Sequence, residues 1–127
     1  VYPADYGFVP DTLAEDGDPL DVLVILDEPT VPGCHINVRP IGVFWMRDEA
    51  GPDAKLLCVP DGDPRYEDIH DLEDVSPYLR AEIKHFFEIY KALEPKKDTE
   101  VRDWSGRDEA ERQVEASRQA FIDAHGG

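Results

Sequence analysis

The apolar residues change period part way along the chain: before residue 60 they come in short β-branched runs, and from Ser76 onward they recur at helical spacing. The run 22–26, VLVIL, lies between Pro19 and Pro29 and predicts a buried strand. Residues 34–44, CHINVRPIGVF, alternate in part, and Pro40 and Gly42 within them predict a bulge or sharp bend of the kind that turns a barrel corner. Trp45 and Met46 carry that strand toward RDEAGPDAK, and residues 56–59 read as strand again, so the two predict a hairpin about Ala50, Gly51 and Pro52. The stretch VPDGDPRYEDIHDLEDV predicts a long surface connection with at most one helical turn.

Ser76 then suits an N-cap and Pro77 a first turn, while Leu79, Ile83, Phe86, Phe87, Tyr90 and Leu93 share a helix face that Pro95 terminates. Phe86 and Phe87 are read as core. A short strand over 101–104 is expected next. A second helix follows, opened by Ser105 with Asp108 in a capping-box relation, facing inward through Ala110, Val114, Ser117 and Phe121 and stopped at Gly126. Strands first and helices after give an α+β fold with a closed β-barrel as the favoured core. The 127 residues suit one domain, residues 1–127.

Composition narrows the function. With 41% hydrophobic and 33% charged residues the chain has enough apolar surface to fold, which excludes a disordered tail. A net charge of −16 argues against nucleic acid and anionic membrane surfaces as partners. No run approaches the ~20 apolar residues of a membrane span, and no basic-then-apolar leader opens the chain, so a cytoplasmic location is expected. Cys34 and Cys58 lack CxxC or Cys/His spacing and predict buried free thiols. The only methionine is Met46, which points to residues missing before Val1.

The acids are concentrated rather than scattered. From Asp11 to Glu28 the chain carries Asp11, Glu15, Asp16, Asp18, Asp21, Asp27 and Glu28 with no Lys or Arg, centred on DGDPLD. Residues two apart in extended chain face one side, so Asp16 and Asp18 project together with Asp21 at the strand mouth. Two carboxylates about 4 Å apart repel by roughly 4 kcal/mol at an effective dielectric of about 20, so a converging cluster calls for protons or cations. Oxygen ligands without His or Cys favour Mg²⁺, with Mn²⁺ or Ca²⁺ as competitors. Taken alone, DGDPLD reads more readily as a solvated turn, and an EF-hand reading lacks its third alternate acid and its distal Glu.

A second group decides for metal. In MRDEAGPDAKL, Asp48 and Glu49 enter the expected hairpin turn and Asp53 leaves it, with Lys55 two residues on along the same face. Carboxylates beside one lysine suit phosphate held through metal, whereas an ordinary exposed Asp–Lys pair would contribute little. Tyr6 and Tyr90, the latter followed by Lys91, could donate to phosphate oxygen, although Tyr90 also fits the helix's apolar stripe. His35, His70, His85 and His125 show no metal spacing, and no nucleophile triad or nucleotide-binding glycine loop is present.

YPADYGF, DGDPLDVLV, DEAGPDAKLLCVP and IKHFFEIYKALEP together resemble the family I soluble inorganic pyrophosphatases of bacteria, nearly end to end. The resemblance implies an α+β fold with an OB-like closed antiparallel β-barrel core flanked by two C-terminal helices. It implies Mg²⁺-dependent hydrolysis of pyrophosphate to two orthophosphates by metal-activated water. Asp16, Asp21, Asp48 and Asp53 would hold metal, Asp18 or Asp53 would accept the water's proton, and Tyr6, Lys55, Tyr90 and Lys91 would bind phosphate. Glu49 would stand at most behind them. It implies a homo-hexamer, and it implies N-terminal strands with no counterpart before Val1. The competing class is a catalytically weakened, divalent-cation-binding fragment or scaffold of the same fold.

Overall fold

The computed structural model describes residues 4–15, 17–26, 31, 33–48, 51–92 and 100–126, and the side chains of all of these except 47, 48, 51, 52, 90–92 and 100–103. The elements run β1 (Asp5–Val9), β2 (Leu20–Val24), β3 (Val38–Asp48), β4 (Gly51–Pro60), α1 (Pro77–Ala92), β5 (Glu100–Gly106) and α2 (Arg107–Ala124). Two 3₁₀ turns, Pro64–Tyr66 and Leu72–Asp74, bridge β4 to α1 where a polar connection with at most one helical turn was expected. The α+β class and the two C-terminal helices are as the sequence predicts.

The strands form one sheet in the order β1-β2-β4-β3-β5. One pairing departs from the antiparallel expectation: β2 and β4 are parallel. The reason is the β3–β4 hairpin, which sets β3 one place away from β2 and returns β4 antiparallel into the gap. Among the described residues β1 and β5 end the sheet, so closure into a barrel is not seen in these pairings.

Both sheet faces are covered, which is why the second strand reads as an unbroken apolar run. Leu23, Phe44, Met46, Leu57 and Val59 pack one face against Ile83 and Phe87 of α1. Leu20, Val22, Val24, Val43, Leu56 and Cys58 pack the other against Ala110 of α2. The predicted irregularity at Pro40 and Gly42 is a register shift in β3. It places Ile41 and Phe44, three apart, in the same core cluster, which a regular strand would forbid. Arg39 pins the connection after β4 to the sheet by donating to the carbonyls of Ile69 and of Tyr66, the latter at 2.6 Å.

α1 begins as the sequence indicates, with the Ser76 hydroxyl accepting from the Tyr78 amide at 3.2 Å. Leu93 and Pro95 lie outside the described residues. The start of α2 corrects the reading: Ser105 belongs to β5, where its hydroxyl accepts from Trp45 Nε1 at 2.8 Å, and the N-cap is Gly106. Glycine has no capping side chain, so Asp71 supplies one from a distant turn by accepting from the Arg107 amide at 3.0 Å. A Cβ on Gly106 would meet that Asp71 carboxylate at 2.9 Å, so the borrowed cap requires the glycine. The thiols also divide. Cys58 is buried as expected, but Cys34 is exposed, because β3 starts only at Val38 and residue 34 remains outside the sheet.

Candidate active site

Period-2 alternation builds the site. The face of β4 that sends Leu57 and Val59 into the core carries Asp53 and Lys55 at its other end. Parallel pairing sets Asp21 of β2 beside Lys55. The Lys55 ammonium lies 2.7 Å from Asp21 Oδ2 and 2.9 Å from Asp53 Oδ2, so two carboxylates from neighbouring strands converge on one cation. Lys55 is only 7% exposed, which sets this knot apart from an ordinary surface pair.

Tyr6 on β1 completes the group, its ring centroid 5.5 Å from the Lys55 nitrogen and its side chain half exposed. Burial by itself would lower the pKa of the Lys55 ammonium, but the Asp21 carboxylate, the Tyr6 phenol and Asp53 outweigh it and hold the pKa above the usual lysine value. Burial raises the Tyr6 phenol, against the lowering effect of Lys55, so it remains a protonated donor at neutral pH.

The acidic loop leaves β1 and returns as β2. Asp11 adopts a left-handed backbone at φ 58°, which aspartate tolerates, and Gly17 turns the tip at φ 85°. The Ala14 amide donates to the Asp18 carbonyl at 2.8 Å and the Gly17 amide to the Ala14 carbonyl at 3.0 Å. The Leu13 amide donates to the Ser117 carbonyl at 2.9 Å, docking the loop on α2. Asp18 is exposed on it. Thr12, buried at the loop's neck, escaped the sequence reading; its signal was a lone hydroxyl between an aromatic strand and an acidic run.

The structure therefore brings together Tyr6, Asp21, Asp53 and Lys55 and puts Asp18 on the adjoining loop. Asp16 and Glu49 lie outside the described residues, and so do the side chains of Asp48, Tyr90 and Lys91. By backbone, Asp48 pairs with Gly51, two residues beyond the Met46–Asp53 pair. Among the described residues no three Asp, Glu, His or Cys groups gather as a metal site. The described part of the expected set is Asp21 and Asp53, whose hard oxygen donors and shared need for positive charge fit a divalent cation such as Mg²⁺.

The chain is similar to known proteins in sequence and in fold. The family model described as inorganic pyrophosphatase matches residues 1–122. An inorganic pyrophosphatase of Streptomyces coelicolor is 62% identical over 126 residues, covering 99% of this chain and 77% of the relative. The crystal structure of inorganic pyrophosphatase from Thermus thermophilus superposes with a TM-score of 0.89 at 48% identity, over 94% of this chain and 70% of that one. An inorganic pyrophosphatase from Coxiella burnetii gives 0.88 at 49% identity, over 94% and 73%.

Proposed function

Because this chain belongs to the inorganic pyrophosphatase family, we propose that it is an enzyme that hydrolyses pyrophosphate to two orthophosphates with the help of Mg²⁺. The observation that carries the proposal is the enclosed Lys55 held between Asp21 and Asp53. Such a knot keeps a lysine charged and immobile where a phosphate must be received.

Phosphoryl transfer demands positioning and charge neutralisation more than covalent help, since the transferring group is loosely bonded at the transition state. Mg²⁺, held by Asp16, Asp21, Asp48 and Asp53, would neutralise phosphate charge and make the attacking water more acidic; Mn²⁺ would substitute and Ca²⁺ inhibit. The chain's own residues do the rest. Asp18 takes the proton of the attacking water while the water oxygen bonds to phosphorus, and the bridging oxygen leaves with the second phosphate; Asp53 is the rival acceptor. Lys55 and Lys91 balance phosphate charge, and the phenols of Tyr6 and Tyr90 donate hydrogen bonds to phosphate oxygens.

The assembly proposed is a homo-hexamer, for which exposed Tyr78 and Ile89 on α1 offer apolar surface. A cytoplasmic setting accords with two unpaired thiols, and no helix of the described residues is long and apolar enough to cross a membrane. The test is phosphate release from pyrophosphate. It should proceed with Mg²⁺ and stop in excess chelator; release that ignores chelator, or none in Mg²⁺, overturns the reading.

A further inference from the structure

Thr12 is 2% exposed, and one oxygen of it makes two bonds: the hydroxyl donates to the Val9 carbonyl at 2.6 Å and accepts from the Leu20 amide at 3.0 Å. Val9 ends β1 and Leu20 opens β2, and these two residues are themselves paired in the antiparallel register. The hydroxyl therefore closes the acidic loop at its neck, at the last rung of the ladder. Asp21 follows Leu20 directly, and its carboxylate is the one fixed by Lys55. Asp18 lies on the same loop, so its reach toward Asp21 is set by how the neck is closed.

The left-handed turn at Asp11 precedes Thr12, and the Leu13–Ser117 bond follows it, anchoring the neck to α2. No carboxylate of the loop is needed for these bonds. The neck is thus held by neutral groups, whose bonds do not weaken when a cation is added or removed.

We propose that Thr12 is a positioning residue that holds the loop's carboxylates in the arrangement that takes Mg²⁺. The proposal rests on the metal-dependent reading above. A hydroxyl that merely stabilised the fold would change melting without changing metal affinity. One that positions the acids changes the affinity, and excess metal compensates.

The experiment measures Mg²⁺ binding by calorimetry without pyrophosphate, well below the melting temperature, for the wild type, Thr12→Val and Thr12→Ser, each confirmed folded by circular dichroism. Valine keeps the shape and loses both bonds, while serine keeps both. Thr12→Val should bind Mg²⁺ at least tenfold more weakly, with turnover recovering as Mg²⁺ is raised, and Thr12→Ser should stay within about threefold of the wild type. Equal Mg²⁺ affinity in Thr12→Val and the wild type overturns the positioning role alone. Should Thr12→Val not fold, a folded Thr12→Ser with tenfold weaker binding overturns it equally, since that variant retains the hydroxyl. A wild type that binds no Mg²⁺ overturns the metal reading and this role with it.

Discussion

Lys55 owes its charge to its neighbours. Its pKa is held above the ordinary lysine value of 10.5, so the stability it contributes is complete below that value and is lost only as pH rises through the higher folded one. Between pH 5 and pH 9 the Lys55 ammonium should therefore add nothing to the slope of stability against pH, a result that urea titrations of the wild type and Lys55→Ala across that range would check. Lys55→Ala should lower kcat/KM for pyrophosphate by an order of magnitude or more while Mg²⁺ binding persists, because the carboxylates stay; an unchanged kcat/KM would make Lys55 structural only. Asp18→Asn should lower kcat with the melting temperature within a degree or two of wild type, since the residue is exposed and on the loop. Near-native kcat in that variant would transfer the proton-accepting role to Asp53. The thiols offer a separate check. Burial pushes Cys58 up to about 12, so it should resist alkylation at pH 8 until the protein unfolds, whereas exposed Cys34 should react at once.

Among the elements, the loan of a cap from Asp71 to α2 ties a surface turn to a helix 36 residues away. Hydrogen bonds from the Arg107 and Leu72 amides hold the Asp71 carboxyl below the usual carboxylate range. The cap is thus complete above the ordinary carboxylate pKa and fails as pH drops through the lowered one. Asp71→Ala should cost about 1 kcal/mol, typical of a lost N-cap, and speed amide exchange at Arg107; equal exchange in both proteins would count against the cap. This is also where sequence reading ran short. Ser105 followed by Asp108 has every local mark of a capping box, but β5 uses Ser105 for Trp45, and a cap that arrives through space leaves no local pattern. Cys34 misled similarly, since an apolar look cannot tell a strand from its approach. By contrast β2, the hairpin and α1 were legible, because continuous apolar runs, turn formers and 3.6-residue spacing are local properties. Of the site, Asp53 with Lys55 followed from two-residue spacing alone, whereas the meeting of Asp21 with Lys55 depends on a parallel pairing that no spacing encodes.

At the scale of the whole molecule, a net charge of −16 means that folding gathers like charges. Mg²⁺ that binds the folded chain but not the unfolded one should stabilise it by about 2.7 kcal/mol at a hundredfold excess over Kd, a rise of several degrees in melting temperature. NaCl at matched ionic strength only screens, and should give a smaller gain; equal shifts would mean that no specific cation site exists.

The parallel seam between β2 and β4 has a consequence in time as well as space. Lys55 and Asp21 are 34 residues apart, so a ribosome adding about 5–20 residues per second finishes the acidic loop roughly 2–7 seconds before the neutralising lysine has been made. In that interval Asp21 stands without the lysine that will neutralise it, and the edge of β2 that β4 will occupy has no partner. Solvent and free cations must keep that charge company until the hairpin delivers β4, and the cradle for phosphate comes into being in the same event that joins β2 to the hairpin.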